Sequence, residues 1–172
     1  SALASLSALA RGGTDTPTLL AQLDDEVRRT TERRAFVTLA HVRFDLAARS
    51  AEFTNAGHLY PCRVAPDGRV SWVENPAKPL GAGRPVERVT VTVPIVGGES
   101  WVFLSDGVIE AMSPDGGEAF GFARLERVVA GCAGKGARDV LEAILDAWRA
   151  HTGSDDPEDD RTVVVVRVLG PR

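Results

Sequence analysis

The sequence predicts an α+β domain in which short antiparallel strands are flanked by amphipathic helices. Two segments with apolar residues at helical spacing, 16–31 and 137–151, predict helices that bury one face. Between them, strand-like runs alternate with tight turns such as Pro66-Asp67-Gly68, which is typical of an antiparallel meander. Two further runs are almost wholly apolar: 101–104 predicts a strand that is buried on both faces, and 162–169 predicts a buried strand.

The amino-terminal part of the chain predicts two helices. Leucines at every third position predict a helix over residues 1–10, and no capping residue precedes it, so we expect the chain to start inside an element. The second helix, over 16–31, has Thr16 as its expected N-cap and Pro17 at its first helical position. Its apolar face carries Leu19, Leu20, Leu23 and Val27.

From residue 36 onward the apolar pattern changes from helical spacing to that of strands. We expect strands over residues 36–45, 50–55, 60–64, 70–73 and 86–95, before the apolar run 101–104. A loop rich in Pro and Gly, 75–85, separates the last two of these. After a short helix-like segment at 108–112, helices are expected over 123–130 and 137–151, and the final strand over 162–169.

Composition excludes several classes of partner. Of the 172 residues, 44% are hydrophobic and 26% are charged, which is ordinary for a soluble globular domain with a core. The net charge of −4 and the scattered basic residues predict no nucleic-acid or membrane partner. Cys62 and Cys132 are too far apart in sequence for a metal or redox motif, so we expect free thiols in a cytoplasmic protein.

Asp106 is the first candidate functional residue. It follows the apolar run 101–104 within the sequence Ser105-Asp106-Gly107, at the expected end of a buried strand. A carboxylate in that position is costly unless a cation, a metal ion or backbone donors compensate it. Two roles therefore stay open at this point: Asp106 caps the helix that follows, or it ligates a metal ion or acts in catalysis.

A second set of carboxylates precedes the final strand. Asp159 and Asp160 end an acidic loop directly before the apolar run 162–169. Hard divalent cations such as Mg²⁺ and Mn²⁺ bind oxygen ligands, and a site shared between adjacent strand ends would supply them. The alternative for residues 155–160, taken alone, is a solvated acidic loop.

Other residues with catalytic chemistry carry weaker signals. His58 lies in the expected turn 55–58 without a matching nucleophile, so we expect a packed, hydrogen-bonded turn residue rather than a general acid or base. Ser105 lacks the flanking glycines of a nucleophile elbow. No glycine-rich run leads into Lys-Ser or Lys-Thr, so a phosphate-binding loop is not predicted.

Five segments together resemble one protein family in their order and spacing. They are Phe53–His58 (FTNAGH), Lys78–Gly81 (KPLG), Leu104–Ala111 (LSDGVIEA), Phe120-Gly121 (FG) and Asp159–Val165 (DDRTVVV). This pattern is similar to that of the SpoIIE-type bacterial phosphatases, a branch of the metal-dependent Ser/Thr protein phosphatases (the PPM family). The resemblance covers residues 36–168.

The resemblance implies a fold and a chemistry. The fold would be two packed antiparallel sheets flanked by helices, with two Mn²⁺ or Mg²⁺ ions between the sheets at one end. A metal-bridging water would attack the phosphorus of a phosphoserine or phosphothreonine, without a covalent phospho-enzyme. By position, Asp106 would be one metal ligand and Asp159 another, with Asp160 as the alternative to Asp159. Residues 55–58 would be a signature of the fold.

The family places two further metal-binding segments before the part that matches, and no counterpart of them is recognisable in this sequence. We therefore expect residues 1–172 to be the carboxy-terminal portion of a single SpoIIE-type domain, N-terminally incomplete and weak or inactive in this form. A non-catalytic binding module, with the helices 16–31 and 137–151 as its partner surface, is the alternative. A third hypothesis is an unrelated α+β scaffold with a structural cation in the acidic loop.

The resemblance also implies a partner. The expected substrate is a phosphorylated regulatory protein, such as an anti-anti-sigma factor in a partner-switching pathway. A sandwich that lacks its first strands would expose a sheet edge and apolar surface, which predicts self-association.

Overall fold

The computed structural model describes residues 15–30, 36–84, 87–154 and 160–170. The chain divides into a first unit, Ser1–Tyr60 with Glu74–Pro94, and a second unit, Pro61–Val73 with Ile95–Arg172. Each unit is considered by itself below. The helix expected over residues 1–10 lies outside the described residues.

The described ranges contain every helix and strand that the sequence predicts from residue 16 onward, with bounds that differ by a few residues. In chain order the elements are α1 (Thr16–Thr30), β1 (Leu39–Asp45), β2 (Ser50–Ala56), β3 (Cys62–Val64), β4 (Val70–Trp72), β5 (Thr90–Pro94), β6 (Ser100–Leu104), α2 (Asp106–Ile109), α3 (Gly121–Ala130), α4 (Ala137–Thr152) and β7 (Val163–Arg167). The expected α+β class is therefore confirmed. No helix in the described ranges has the length and apolar character needed to cross a membrane.

The first unit combines helix α1 with a three-stranded sheet. The strand order is β1-β2-β5 and both pairings are antiparallel, as the meander predicts. Helix α1 turns its expected apolar face inward, and its leucines pack against Ala56 at the end of β2 and Leu80 of the following loop. Leu80 is joined to Val37 by two backbone hydrogen bonds of 3.0 and 2.8 Å.

The N-cap of α1 is Asp15 and not Thr16. The Asp15 carboxylate accepts a hydrogen bond from the Thr18 N–H at 3.1 Å, and its backbone carbonyl accepts one from the Leu19 N–H at 3.0 Å. The hydrogen bond from Thr18 lowers the pKa of Asp15. The prediction that Thr16 is the N-cap was wrong by one residue. A carboxylate accepts a hydrogen bond from a free N–H group of the first turn, and its negative charge is also favourable at the positive end of the helix dipole.

Asn55 is the centre of a buried polar network at the end of β2. Its side chain is 2% exposed, and its Oδ1 accepts hydrogen bonds from the N–H groups of Ala56 and His58 at 2.9 and 3.1 Å. Its Nδ2 donates to the carbonyls of His58 and Asn75 at 3.1 and 3.0 Å. The His58 ring nitrogen Nδ1 lies 3.2 Å from the Thr38 hydroxyl, so His58 is the hydrogen-bonded turn residue that the sequence predicts.

A buried ion pair joins helix α1 to the Lys78–Gly81 loop. Asp24, which is 3% exposed, accepts a hydrogen bond from the Gly81 N–H at 2.7 Å and another from Arg28 at 2.8 Å. The guanidinium of Arg88 lies 3.5 Å from Oδ1 of Asp24, the oxygen that accepts the hydrogen bond from Gly81. Arg88 also donates to the Lys78 carbonyl at 2.9 Å. Removing one partner would leave a buried charge uncompensated, so this network fixes the loop on the helix.

Gly57 brings two of the family-like segments into contact within the first unit. Its φ of 71° is in the left-handed region that glycine adopts without strain. A Cβ at this position would lie 2.5 Å from Cγ of the Pro79 ring, which is far inside van der Waals contact. The Ala56-Gly57-His58 turn and the Lys78–Gly81 loop can therefore pack only if residue 57 has no side chain.

We predict that Gly57→Ala lowers the free energy of unfolding by about 3 kcal/mol or more, since it combines backbone strain with a steric overlap. Gly83→Ala is the matched control: its φ is also positive, at 66°, but nothing lies within 4 Å of the new Cβ. That variant should lose only about 1 kcal/mol, from the backbone alone. Urea denaturation of both variants measures the difference, and equal losses would contradict the packing argument.

The second unit contains a four-stranded antiparallel sheet with the order β4-β3-β6-β7. Strand β6 pairs on both sides, so Trp101 and Val102 are fully buried, as the apolar run predicts. Strand β7 was expected to be a buried strand, and this was wrong, because Val164 is 48% exposed. The reason is its position: among the described residues β7 pairs with β6 alone. Helix α4 buries Val140, Ile144 and Trp148.

Candidate functional site

The pairing of β6 with β7 brings the two acidic segments to one edge of the sheet. The strands are antiparallel with Leu104 opposite Val163, so the residues after β6 lie beside the residues before β7. Asp106 comes two residues after Leu104, and Asp160 comes three residues before Val163; both side chains are exposed. Asp159 lies outside the described residues.

The Ser105 side chain ties these two segments together. Its hydroxyl donates a hydrogen bond to the Asp160 carbonyl at 3.0 Å and accepts one from the Thr162 N–H at 2.9 Å. The Ser105 N–H also donates to the Thr162 carbonyl at 3.1 Å. These bonds extend the β6–β7 ladder beyond its last residue pair, and they fix the backbone on which Asp160 sits. Sequence reasoning missed this role, because it depends on Asp160, which is 55 positions away along the chain.

Asp106 is the first residue of α2 and not its N-cap. The N-cap is Ser105, whose backbone is extended with φ −84° and ψ 161°. The Asp106 Oδ1 accepts a hydrogen bond from the N–H of Gly107 at 3.0 Å. Asp106 therefore does not have the N-capping role that the sequence left open, although its negative charge is favourable at a helix N-terminus. The exposed carboxylate keeps access to solvent and to ions.

The donors at this edge match hard divalent cations in kind. Carboxylate oxygens are the ligands that Mg²⁺ and Mn²⁺ take from proteins, and the ions keep several waters. Two carboxylates of the described residues, Asp106 and Asp160, follow and precede paired strands here. No group of three or more His, Cys, Asp or Glu side chains within the described ranges is arranged to hold a metal ion.

A groove begins directly beside Asp106. Its volume is about 490 Å³, and it lies among the end of α2, the loop that follows and the end of α4. The lining residues are Gly107, Glu110, Ala111, Met112, Ser113, Pro114, Gly116, Trp148, Thr152 and Ser154. Sequence reasoning missed this feature, because its walls come from segments more than 30 residues apart.

The loop that forms one wall of the groove is an ordered turn. Backbone hydrogen bonds of 2.8 Å join Ser113 to Glu118 and Ala111 to Phe120, and Met112 bridges to Ala119. The Asp115 carboxylate accepts a hydrogen bond from the Ser113 hydroxyl and another from the Gly117 N–H at 3.2 Å. These bonds, first of all the one from Ser113, lower the pKa of Asp115. Asp115 therefore carries its negative charge beside the groove.

The cysteines take no part in this site. Both Cys62 and Cys132 are free and buried, as expected. Burial raises the pKa of the Cys62 thiol to about 12, so the thiolate is not available as a nucleophile at neutral pH.

Comparison with known families identifies the chain. Residues 1–169 match the family described as Stage II sporulation protein E (SpoIIE). The chain belongs to the SpoIIE family. The resemblance drawn from the five segments is therefore confirmed, and two of those segments, Leu104–Ala111 and Asp159–Val165, flank the β6–β7 edge. A search of curated proteins finds no match.

Solved structures share the fold of this SpoIIE-family chain. The RsbU and RsbW domains of Rv1364c from Mycobacterium tuberculosis align with a TM-score of 0.79 and 20% identity, covering 98% of this chain and 46% of that one. The PP2C phosphatase domain of SpoIIE from Bacillus subtilis, with a fragment of its regulatory domain, aligns with a TM-score of 0.81 and 22% identity, covering 97% and 48%. The chain thus spans about half the length of these two relatives.

A third structure carries information on metals. The phosphatase domain of SpoIIE from Bacillus subtilis, described as Mn presoaked, aligns with a TM-score of 0.67 and 22% identity, covering 97% of this chain and 71% of that one. At these identities the likeness establishes that the SpoIIE-family chain has the PP2C phosphatase fold.

We predict that Ser105→Ala destabilises the β6–β7 edge, because the Asp160 carbonyl and the Thr162 N–H both lose their partner. The free energy of unfolding should fall by about 1–2 kcal/mol. The amide hydrogen of Thr162 should exchange faster, as measured by NMR. Ser105→Thr keeps the hydroxyl and is the matched control. If the Thr162 amide exchanges at the same rate in the wild type and in Ser105→Ala, the proposed role of Ser105 is contradicted.

Proposed function

We propose that this SpoIIE-family domain is a metal-dependent protein phosphatase whose centre is built at the β6–β7 edge. The observation that carries the proposal is the antiparallel pairing of Leu104 with Val163, which brings Asp106 to the same end of the sheet as Asp160. Both carboxylates are exposed there, and carboxylate oxygens are the ligands that Mg²⁺ and Mn²⁺ take from proteins. Family membership supplies the reaction class, and the edge supplies the residues.

In this proposal Asp106 and Asp159 are the metal ligands, and Asp160 is the alternative to Asp159. The cofactor is two Mn²⁺ or Mg²⁺ ions; when bound, they supply a water nucleophile at neutral pH and hold the phosphoryl oxygens. The protein positions the ligands. Ser105 fixes the backbone of Asp160, and the first turn of α2 directs Asp106 by the Gly107 N–H. Residues 1–172 belong to a single domain of this kind.

The proposed substrate is phosphoserine or phosphothreonine on a regulatory protein of the anti-anti-sigma type. Support comes from the relatives, since one of the aligned structures joins RsbU and RsbW domains and another is a cell fate determinant with a regulatory domain. A protein phosphatase of this kind needs no covalent intermediate, which agrees with the buried, protonated thiol of Cys62.

We predict that Asp106→Asn in the full-length protein lowers Mn²⁺-dependent hydrolysis of p-nitrophenyl phosphate by roughly a hundredfold or more, since loss of a ligand removes several kcal/mol of transition-state stabilisation. Glu142→Gln, the same change on the exposed face of α4, is the control and should retain activity. Unchanged activity of Asp106→Asn would refute the assigned ligand.

Mn²⁺ titration by calorimetry separates the remaining ligand assignments. Asp159→Asn and Asp160→Asn are compared in the same protein, and the variant with the larger loss of affinity marks the ligand, because ligand charge and number set the affinity. If the wild-type protein neither binds Mn²⁺ nor turns over substrate, the phosphatase proposal fails and a non-catalytic binding module becomes the better description.

A further inference from the structure

The groove beside Asp106 has an apolar floor. Met112 is 43% exposed there, although it is a large apolar residue, and Pro114 and Trp148 line the same space. The Trp148 ring is held in place, because Trp148 is only 2% exposed and the guanidinium of Arg161 stacks on its ring at 4.0 Å. Covering the exposed Met112 side chain with an apolar side chain of a ligand would be favourable.

The rim of the groove is negatively charged. Glu110 lines the groove, and Asp115 lies between two lining residues, Pro114 and Gly116; both carboxylates are exposed. Within the described part of the chain, no ion pair involves Glu110 or Asp115. A positive charge brought into the groove would therefore meet carboxylates that the fold itself does not neutralise.

The basic groups near the groove have contacts of their own. Arg149 pairs with Asp146 at 2.9 Å, and Arg161 stacks on Trp148. The Nε2 atom of His151 lies 3.0 Å from the Glu118 carbonyl. Stacking does not cancel the charge of Arg161, so the attraction for a basic segment of polypeptide comes from Glu110 and Asp115 on the rim.

We propose that this groove binds the segment of the substrate protein that flanks the phosphorylated residue, and that it selects a basic side chain followed by an apolar one. The proposal rests on the phosphatase function assigned above. The groove starts at Gly107, one residue after Asp106, so a chain whose phosphoryl group reaches the β6–β7 edge continues directly into it. Glu110 receives the basic side chain, and Met112 receives the apolar one.

The test uses two phosphoserine peptides that differ only in the residues that flank the phosphoserine. One peptide carries Lys-Leu on both sides of the phosphoserine, and the other carries Glu-Leu on both sides. The full-length protein with Mn²⁺ should hydrolyse the Lys-Leu peptide with a kcat/KM roughly fivefold higher, the size that one or two exposed charge contacts produce. Glu110→Lys should reverse this preference, because it replaces the attraction by repulsion. Met112→Ser should lower kcat/KM for both peptides.

Glu142→Lys is the matched control, since it makes the same charge change on an exposed part of α4 outside the groove lining. It should leave the preference between the peptides as in the wild type. A wild-type protein without preference, or a Glu110→Lys variant with the wild-type preference, would overturn the proposed groove function.

Failure of the groove and failure of the phosphatase proposal give different results. p-Nitrophenyl phosphate has no flanking chain, so its hydrolysis reports on the metal centre alone. Turnover of this compound with equal kcat/KM for the two peptides contradicts only the groove. Absence of turnover with every substrate contradicts the phosphatase function. In that case the affinities of the two peptides, measured by fluorescence anisotropy, test the groove by themselves. Equal affinities would overturn the proposed binding preference.

Discussion

The antiparallel pairing of β6 with β7 is the constraint on which the candidate site depends. It sets Leu104 opposite Val163, so the acidic residues after one strand and before the other must lie at the same sheet edge. Ser105 continues this pairing with its side chain, which bonds to the Asp160 carbonyl and the Thr162 N–H. A register shift of one residue would move the buried apolar face of β6 outward, so core packing also holds the site in place.

The first unit uses buried polar groups for the same purpose. Asn55 satisfies both sides of its amide within the turn 55–58 and the following loop, and Asp24 with Arg88 joins that loop to α1. Hydrogen bonds between buried polar groups require particular directions, so such groups permit fewer alternative packings than an apolar cluster does. The family-like segments 53–58 and 78–81 are thus explained by packing, without a catalytic role.

The second unit, in contrast, leaves the carboxylates after β6 and before β7 exposed. Asp106, Glu110 and Asp160 lie on the surface near the end of β6, whereas Trp101 and Val102 of that strand are fully buried. An apolar, buried strand that presents charged groups at its end suits the binding of ions and charged ligands, because little reorganisation is needed when they arrive. The adjoining groove would extend the proposed metal centre toward the recognition of a polypeptide.

Local sequence patterns were sufficient for the fold class and for most elements. The apolar run 101–104 predicted a buried strand because burial follows from composition alone, and helical spacing predicted α1 and α4. Asp106 and Asp160 were singled out because each stands beside an apolar strand, and their role as metal ligands stays a prediction. Tertiary structure decided the rest: the N-cap at Asp15, the exposure of β7 as an outer strand, the Ser105 bridge and the groove. Each of these depends on which distant segment lies alongside, and a local pattern carries no record of that.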